Sequence, residues 1–235
     1  GSIVTGGQVS AGNAIKTPQF WLLWVVLCFN VTVGIGILEK ASPIFQDYFP
    51  KAGVAAGALA AAAAGYVAML SLGNMLGRIG WSSLSDVIGR KNAYRLYLGV
   101  GALLYLTIML MGNSNKFVFL VATIVILSFY GAGFATVPAY LRDLFGTFQV
   151  GAIHGRLLTA WSAAGILGPI IVNLVADGEA ADGKSGPALY TLSFSIMIAL
   201  LLVALVCNEL IRPVSSKWHE PQSETSTPMV EEVNR

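Results

Sequence analysis

Six long apolar segments constrain this chain of 235 residues more than any other feature. A helix needs about 20 apolar residues to cross a hydrocarbon layer of ~30 Å. In lipid every backbone polar group must be hydrogen-bonded within the protein, so only helices or closed barrels span a membrane. We therefore predict an all-α, polytopic membrane protein whose six-helix transmembrane bundle occupies residues 17–212. The segments cover roughly residues 19–38, 53–80, 93–112, 117–140, 153–176 and 188–211.

The composition points the same way and excludes several classes of protein. Charged residues make up 11% of the chain and hydrophobic residues 55%, whereas a soluble domain carries about 25% charged residues. A soluble enzyme is therefore excluded. The net charge of +2 is small, and no basic stripe predicts a nucleic-acid partner.

The sequence also lacks the motifs of catalytic and metal sites. Cys28 and Cys207 lie far apart in apolar runs, so we expect neither a disulfide framework nor a zinc site. We find no nucleophile elbow, HExxH motif or phosphate loop. We predict no catalytic residues, no metal and no cofactor.

The loop charges predict an orientation. Basic residues concentrate in the loops after the second and fourth segments and after the sixth. The opposite loops carry a mixture of charges: Asp47, Lys51, Lys116, Asp177, Glu179, Asp182 and Lys184. Lys and Arg near the ends of spans stay in the cytoplasm. We therefore expect both termini in the cytoplasm, in a plasma membrane such as the bacterial inner membrane. The basic set is Arg90, Lys91, Arg95, Arg142, Arg156, Arg212 and Lys217.

The two ends of the chain differ from the bundle. We predict a cytoplasmic leader or linker over residues 1–16. Residues 213–235 are rich in Ser, Thr, Glu and Pro, which predicts a disordered cytoplasmic tail. The chain starts with Gly1 rather than Met, and we interpret it as a fragment or one half of a larger protein.

Small residues recur at helical spacing in the second segment. Gly53 with Gly57, and Gly73 with Gly77, form small-xxx-small pairs. Such pairs let helix backbones approach closely where lipid provides no hydrophobic contrast. We expect most of these glycines to serve packing alone.

A charged motif stands between the second and third segments, Leu84-Ser85-Asp86-Val87-Ile88-Gly89-Arg90-Lys91. Asp86 is an anion near a helix start, Gly89 permits a tight turn, and Arg90 and Lys91 supply positive charge on the inside. The motif resembles the cytoplasmic signature loop of the major facilitator superfamily, Gly-x-Leu-x-Asp-Arg/Lys-x-Gly-Arg-Arg/Lys. Ser82 and Val87 depart from that pattern.

The resemblance extends along nearly the whole chain. Four runs, at residues 19–24, 34–36, 133–140 and 154–161, are similar to the C-terminal half of the oxalate/formate antiporter family, which is related to the monocarboxylate transporters. A full member has twelve helices, so this chain corresponds to helices seven to twelve. The resemblance implies an N-terminal six-helix half as partner. It also implies secondary active transport of small organic anions by alternating access.

Arg78 is the leading candidate for a substrate contact. A charge at the centre of a bilayer costs at least ~2.5–3.5 kcal/mol, so buried charges mark function. Asn74 lies one turn earlier on the same face. Physics alone leaves open whether Arg78 snorkels to the headgroups, whereas the resemblance implies a substrate arginine that holds a carboxylate bidentately. Asn30, Tyr130 and Trp161 are further candidates, with interhelical hydrogen bonding or core packing as the alternative.

The charge of the substrate depends on one position. The resemblance implies a lysine on the eleventh helix of relatives, in a Thr-Ala-Lys sequence that matches Thr159-Ala160-Trp161 here. A dianion held by Arg78 alone would leave one buried charge uncompensated, at a cost of several kcal/mol. We therefore favour a monocarboxylate such as lactate or formate. Oxalate/formate exchange and a non-transporting membrane scaffold or assembly partner are the alternatives.

His154 lies near the cytoplasmic end of the fifth segment. We expect it to be neutral and hydrogen-bonded rather than a proton carrier. No acidic residue lies in the middle of a segment, so a proton-carrying carboxylate would have to come from the other half.

Overall fold

The computed structural model describes residues 3–50 and 55–221. In these ranges the chain forms nine α-helices and two short 3₁₀ turns, without a strand. The helices are α1 (Ala11–Ala14), α2 (Pro18–Glu39), α3 (Ala41–Tyr48), α4 (Ala56–Ile88), α5 (Arg90–Met111), α6 (Lys116–Phe145), α7 (Val150–Leu157), α8 (Thr159–Ala181) and α9 (Thr191–Leu210).

Six helical stretches are long and apolar enough to cross a membrane, which confirms the prediction of an all-α six-helix bundle. They are Pro18–Glu39, Gly57–Ile88, Arg90–Met111, Lys116–Phe145, Val150–Ala181 and Gly186–Leu210. The fifth stretch joins α7 and α8, which are separated at Leu158.

Local sequence signals set several helix ends. Thr17 caps α2, because its hydroxyl oxygen accepts a hydrogen bond from the Phe20 amide at 3.3 Å, and Pro18 takes the first helical position. Gly89 separates α4 from α5 with a φ of 84°, and Gly146 follows α6 with a φ of 78°. Both angles favour glycine, because a side chain would be strained there.

The spans pair in a symmetric way. The most extensive contacts join α4 with α6, α2 with α8, α5 with α9, α5 with α6, and α2 with α9. The first, second and third spans correspond to the fourth, fifth and sixth. When each span is replaced by its counterpart, every one of these pairs becomes another pair of the set or stays the same. Internal three-helix repeats produce this symmetry. In the most hydrophobic 18-residue segment of each span, 61% of the residues are buried in α2 and α6, against 22% in α4 and in the α7–α8 stretch. The helices α2 and α6 therefore form the centre of the bundle.

The outer faces of α4 and α8 are apolar and exposed. Leu72, Leu76 and Ile79 on α4, and Ile166 and Leu174 on α8, have between 55% and 67% of their surface accessible. A soluble protein rarely exposes contiguous apolar surface of this kind. These faces suit contact with lipid or with a second set of helices.

Glycines bring α4 and α6 together. A Cβ at Gly77 would overlap the carbonyl oxygen of Ser128, and one at Gly73 would lie 2.9 Å from the carbonyl oxygen of Ile124. The pair at 73 and 77 therefore packs backbone against backbone, as the sequence predicts. A Cβ at Gly57 would meet open space, and Gly53 lies outside the described residues.

We expect Gly77→Ala to lower the thermal stability of the detergent-solubilised protein. The added methyl group forces α4 away from the Ser128 backbone, and overpacking of this kind costs about 1–3 kcal/mol. Gly80→Ala is the matched control, because a Cβ at Gly80 has nothing within 4 Å. Melting curves followed by gel filtration compare the two variants, and equal melting temperatures would contradict the close packing.

The leader and the start of the tail pack on the end of the bundle that carries Asp86–Lys91, called here the signature-loop end. The Thr5 amide donates to the Asp143 carbonyl at 2.8 Å, and the Glu220 amide donates to the Gln8 carbonyl at 2.8 Å. Val214 is buried. The disorder predicted from residue 213 therefore does not describe residues 213–221, while 222–235 lie outside the described residues.

Candidate functional site

Arg78 lies on α4 and is partly buried. Its Nε donates to Asn74 Oδ1 at 3.4 Å, one turn earlier on the same helix. Its Cζ lies 5.2 Å from the centre of the Phe134 ring on α6. Within residues 3–50 and 55–221 Arg78 enters no ion pair, and no hydrogen bond is made by its two terminal nitrogens. The end of the guanidinium fork is therefore available to a ligand.

The Phe134 ring beside this guanidinium belongs to a group of aromatic rings from two helices. The Trp161 ring on α8 lies 4.5 Å from the Phe134 ring at 66°, an edge-to-face geometry, and 5.7 Å from the Tyr130 ring. A cation over an aromatic face is attracted to it, more strongly when water is excluded. We call Asn74, Arg78, Tyr130, Phe134 and Trp161 the Arg78 cluster. It combines one cation, one amide and an aromatic wall.

Two glycines hold the Arg78 cluster together. A Cβ at Gly131 of α6 would overlap the backbone and side-chain oxygens of Asn74 and would lie 3.0 Å from Arg78 Cγ. A Cβ at Gly34 of α2 would overlap the Tyr130 ring. Any larger residue at either position would push α4 or the Tyr130 ring out of place.

Asn30 packs between α2 and α6, one turn before Gly34. It is buried on α2, and its amide packs against Gly133, where a Cβ would overlap it. It lines a void of about 10 Å³ together with core residues that include Val33 and Tyr97. The structure thus brings together four of the five candidate residues and places Asn30 in helix packing.

Phe134 belongs to the Arg78 cluster but was not singled out from the sequence. It lies four residues after Tyr130, which puts the two rings on one face of α6. That spacing was the available signal. Sequence alone could not show that Arg78 of another helix lies over the ring.

Arg90 of the signature loop is buried and pairs with two carboxylates. It forms an ion pair with Asp86 one turn earlier, and its Nε lies 3.6 Å from Asp143 Oδ2 at the end of α6. The positive φ of Gly89 allows the chain to turn between α4 and α5. The loop residues thus join α4, α5 and α6 at one end of the bundle.

Lys91 extends this network to α9. Its Nζ donates to the carbonyl oxygens of Glu209 at 2.7 Å and Ile211 at 2.9 Å. A cation at the C-terminal end of a helix is stabilised by the helix dipole. Arg95 forms two hydrogen bonds with the Glu209 carboxylate, at 2.5 and 2.6 Å.

His154 differs from the expectation. Its Nε2 is buried and has no hydrogen-bond partner in the part of the chain that the structure describes. The interpretation as a hydrogen-bonded histidine is therefore wrong for this nitrogen. His154 lines a cavity between α6 and α7 together with Pro138 and Arg142.

No group of three or more His, Cys, Asp or Glu side chains in the described ranges is placed to hold a metal ion. Cys28 and Cys207 are free thiols. The terminal nitrogens of the Arg78 guanidinium can donate hydrogen bonds to an anion.

Two comparisons with known proteins bear on this site. The family model of the Major Facilitator Superfamily matches residues 6–169 and 66–232. An oxalate:formate antiporter from Oxalobacter formigenes is 32% identical over 170 residues, which cover 71% of this chain and 38% of that relative. The chain therefore spans less than half the length of the relative.

Proposed function

Because the chain belongs to the major facilitator superfamily, we propose that it forms the C-terminal six-helix half of a secondary active transporter for small carboxylates. The two comparisons confirm the resemblance drawn from the signature loop, and the six spans make the chain a multi-pass membrane protein. In such transporters the substrate binds near the middle of the membrane between two halves, which rock around it.

The unpaired guanidinium of Arg78 is the observation that carries this proposal. A cation on a membrane-spanning helix is costly without a partner of opposite charge. Within the described ranges Arg78 has an amide and an aromatic ring beside it but no carboxylate. A carboxylate substrate would neutralise it through two parallel hydrogen bonds. This arrangement favours a protein that binds an anion over a scaffold without a ligand.

A second six-helix half completes the proposal. Arg78 lies on α4 next to Ser71 and Met75 on the same side of the helix, and both of these residues are exposed. On α8 the exposed Gly165 lies one turn after Trp161. An N-terminal half would close the site from this side and exclude water from the guanidinium.

The signature-loop end is assigned to the cytoplasm, with both termini on that side of a plasma membrane. Arg90, Lys91, Arg95, Arg142 and Arg156 all lie at this end. Lys and Arg in short loops favour the cytoplasmic side.

A monocarboxylate such as lactate or formate fits the Arg78 cluster better than oxalate does. The cluster holds one cation, and Trp161 contributes an apolar ring in contact with Phe134 and Tyr130. A second negative charge would stay uncompensated in a site of low dielectric constant. Oxalate/formate exchange is the second candidate, because the related protein from Oxalobacter formigenes is named as an oxalate:formate antiporter.

Competition for uptake tests the proposed function. The full-length transporter, reconstituted in liposomes, should take up labelled lactate in a saturable way. Unlabelled lactate and formate should compete at lower concentrations than oxalate, because each carries one charge for one guanidinium. If oxalate competes best, the monocarboxylate assignment is wrong. If no carboxylate is taken up or competes, the transport proposal itself is wrong.

A further inference from the structure

A separate cavity opens between α6 and α7 on the signature-loop side of the Arg78 cluster. Its volume is about 320 Å³, within the range of small-molecule sites. Its lining contains two nitrogen-bearing side chains and no carboxylate. The lining residues are Pro138, Ala139, Arg142, Val150, Gly151 and His154.

One face of α6 connects this cavity with the Arg78 cluster. Phe134, Pro138 and Arg142 are spaced four residues apart, so they follow one another along the same side of the helix. Eight residues at a rise of 1.5 Å place Arg142 about 12 Å along the axis from Phe134. Phe134 is the ring over which Arg78 lies. An anion leaving Arg78 toward the signature-loop end would therefore meet Arg142 next on this face.

The charge of Arg142 is not compensated by its neighbours. Its side chain is exposed and makes no ion pair with any residue in 3–50 or 55–221. Asp143, the next residue, is directed to Arg90 on α5 instead. Arg156, two residues after His154 on α7, donates to the Ala11 carbonyl of the leader. The cavity wall therefore carries a net positive charge.

His154 lines the same wall and has one ring nitrogen without a partner in the described ranges. Its Nε2 is buried, and the described residues provide no partner for it. Buried polar atoms are nearly always hydrogen-bonded in native structures, so an unpartnered one needs an explanation such as a ligand. Protein atoms cover Nε2 in this conformation, so the imidazole must turn toward Arg142 before a ligand oxygen in the cavity can accept its hydrogen bond.

We propose that this cavity is a second anion site, a vestibule that holds the carboxylate of the substrate between the Arg78 cluster and the cytoplasm. Arg142 attracts the carboxylate by charge, and His154 forms a hydrogen bond with it. The inference rests on the proposed function, since it assigns to this cavity the substrate of that same transporter. Its role is to raise the local concentration of substrate at the cytoplasmic entrance, as charged entrances do.

The test measures lactate exchange by the full-length transporter in phosphatidylcholine liposomes. Lactate is saturating on one side of the membrane, and its concentration is varied on the other. An impermeant thiol reagent identifies the cytoplasmic side through a cysteine at exposed position 217. We expect Arg142→Gln to raise the half-saturating concentration of lactate on that side about three- to tenfold. The half-saturating concentration of lactate on the outer side should change less. Arg212→Gln is the matched control, an exposed arginine at the same end, and should behave as the wild type.

Two further measurements separate a binding role from a structural one. A higher ionic strength should raise the half-saturating concentration of lactate on the cytoplasmic side. This rise should be larger for the wild type than for Arg142→Gln, because exposed charges are screened by salt. His154→Phe keeps a ring but removes the nitrogens. It should raise the same half-saturating concentration about threefold, the effect of one hydrogen bond.

Each outcome decides between the proposals. If Arg142→Gln and Arg212→Gln have the same half-saturating concentration of lactate on the cytoplasmic side, the vestibule proposal is overturned. The transport proposal then still stands, provided that Arg78→Ala abolishes uptake. If Arg78→Ala transports normally, the proposed function fails first. If Arg142→Gln has an effect only after anionic lipid is added, the cavity binds a lipid phosphate and the vestibule is overturned.

Discussion

Arg78→Ala should abolish the uptake of lactate, formate and oxalate alike. The guanidinium is the one cation of the Arg78 cluster, and its terminal nitrogens have no partner in the described part of the chain. Two hydrogen bonds between charged groups contribute about 1.5–3 kcal/mol each, so their loss lowers affinity by roughly a hundredfold or more. Initial rates of labelled uptake into proteoliposomes measure the loss.

Arg78→Lys should restore little of this activity. Lysine keeps the charge but lacks the planar fork that meets both oxygens of a carboxylate. Arg212→Ala is the control for loss of a positive charge, because Arg212 is exposed at the signature-loop end. Gel filtration of each variant shows whether it folds. A folded Arg78→Ala variant with wild-type uptake would exclude Arg78 as the substrate residue.

Trp161→Lys should shift the preference of the transporter from monocarboxylates toward oxalate. The Trp161 ring contacts Phe134, over which the Arg78 guanidinium lies. A lysine at this position would place a second cation at the same wall and would remove the apolar surface that suits a methyl group. The second ion pair should improve competition by oxalate about tenfold, which corresponds to ~1.4 kcal/mol.

Trp161→Phe is the matched control for this change. It keeps an aromatic ring beside Phe134 and adds no charge, so the preference for lactate and formate should remain. Competition curves against labelled lactate compare the three proteins. The single-cation argument is wrong if oxalate is the best competitor of the wild type and Trp161→Lys does not improve it.

The helices could be predicted from the sequence because their signals are local. A run of apolar residues of bilayer length identifies a span wherever the neighbouring helices lie. The cap at Thr17 and the proline at residue 18 mark the start of α2 within a few residues of chain. Gly89 likewise ends α4 through its own backbone angle. Each of these features depends on residues within one or two turns.

The ends of the chain could not be predicted in this way. Their polar composition predicts a linker and a disordered tail. In the structure, backbone amides of the leader donate to carbonyls at the C-terminal end of α6, as Thr5 does to Asp143. Glu220 joins the tail to the leader. These hydrogen bonds involve backbone atoms, which carry no signature in the residue types.

The candidate site, too, could be predicted from the sequence only where its features lie within one helix. Sequence alone determined that this chain has six apolar spans and that an arginine and an amide, Arg78 and Asn74, share one face of the second. Only the tertiary structure decided that the Phe134 ring lies next to that arginine, that Trp161 packs against Phe134, and that Asn30 packs against Gly133. The spacing of residues within a helix follows from 3.6 residues per turn. The distance between helices depends on which glycines allow backbones to touch, and each such contact requires both partners to be in place.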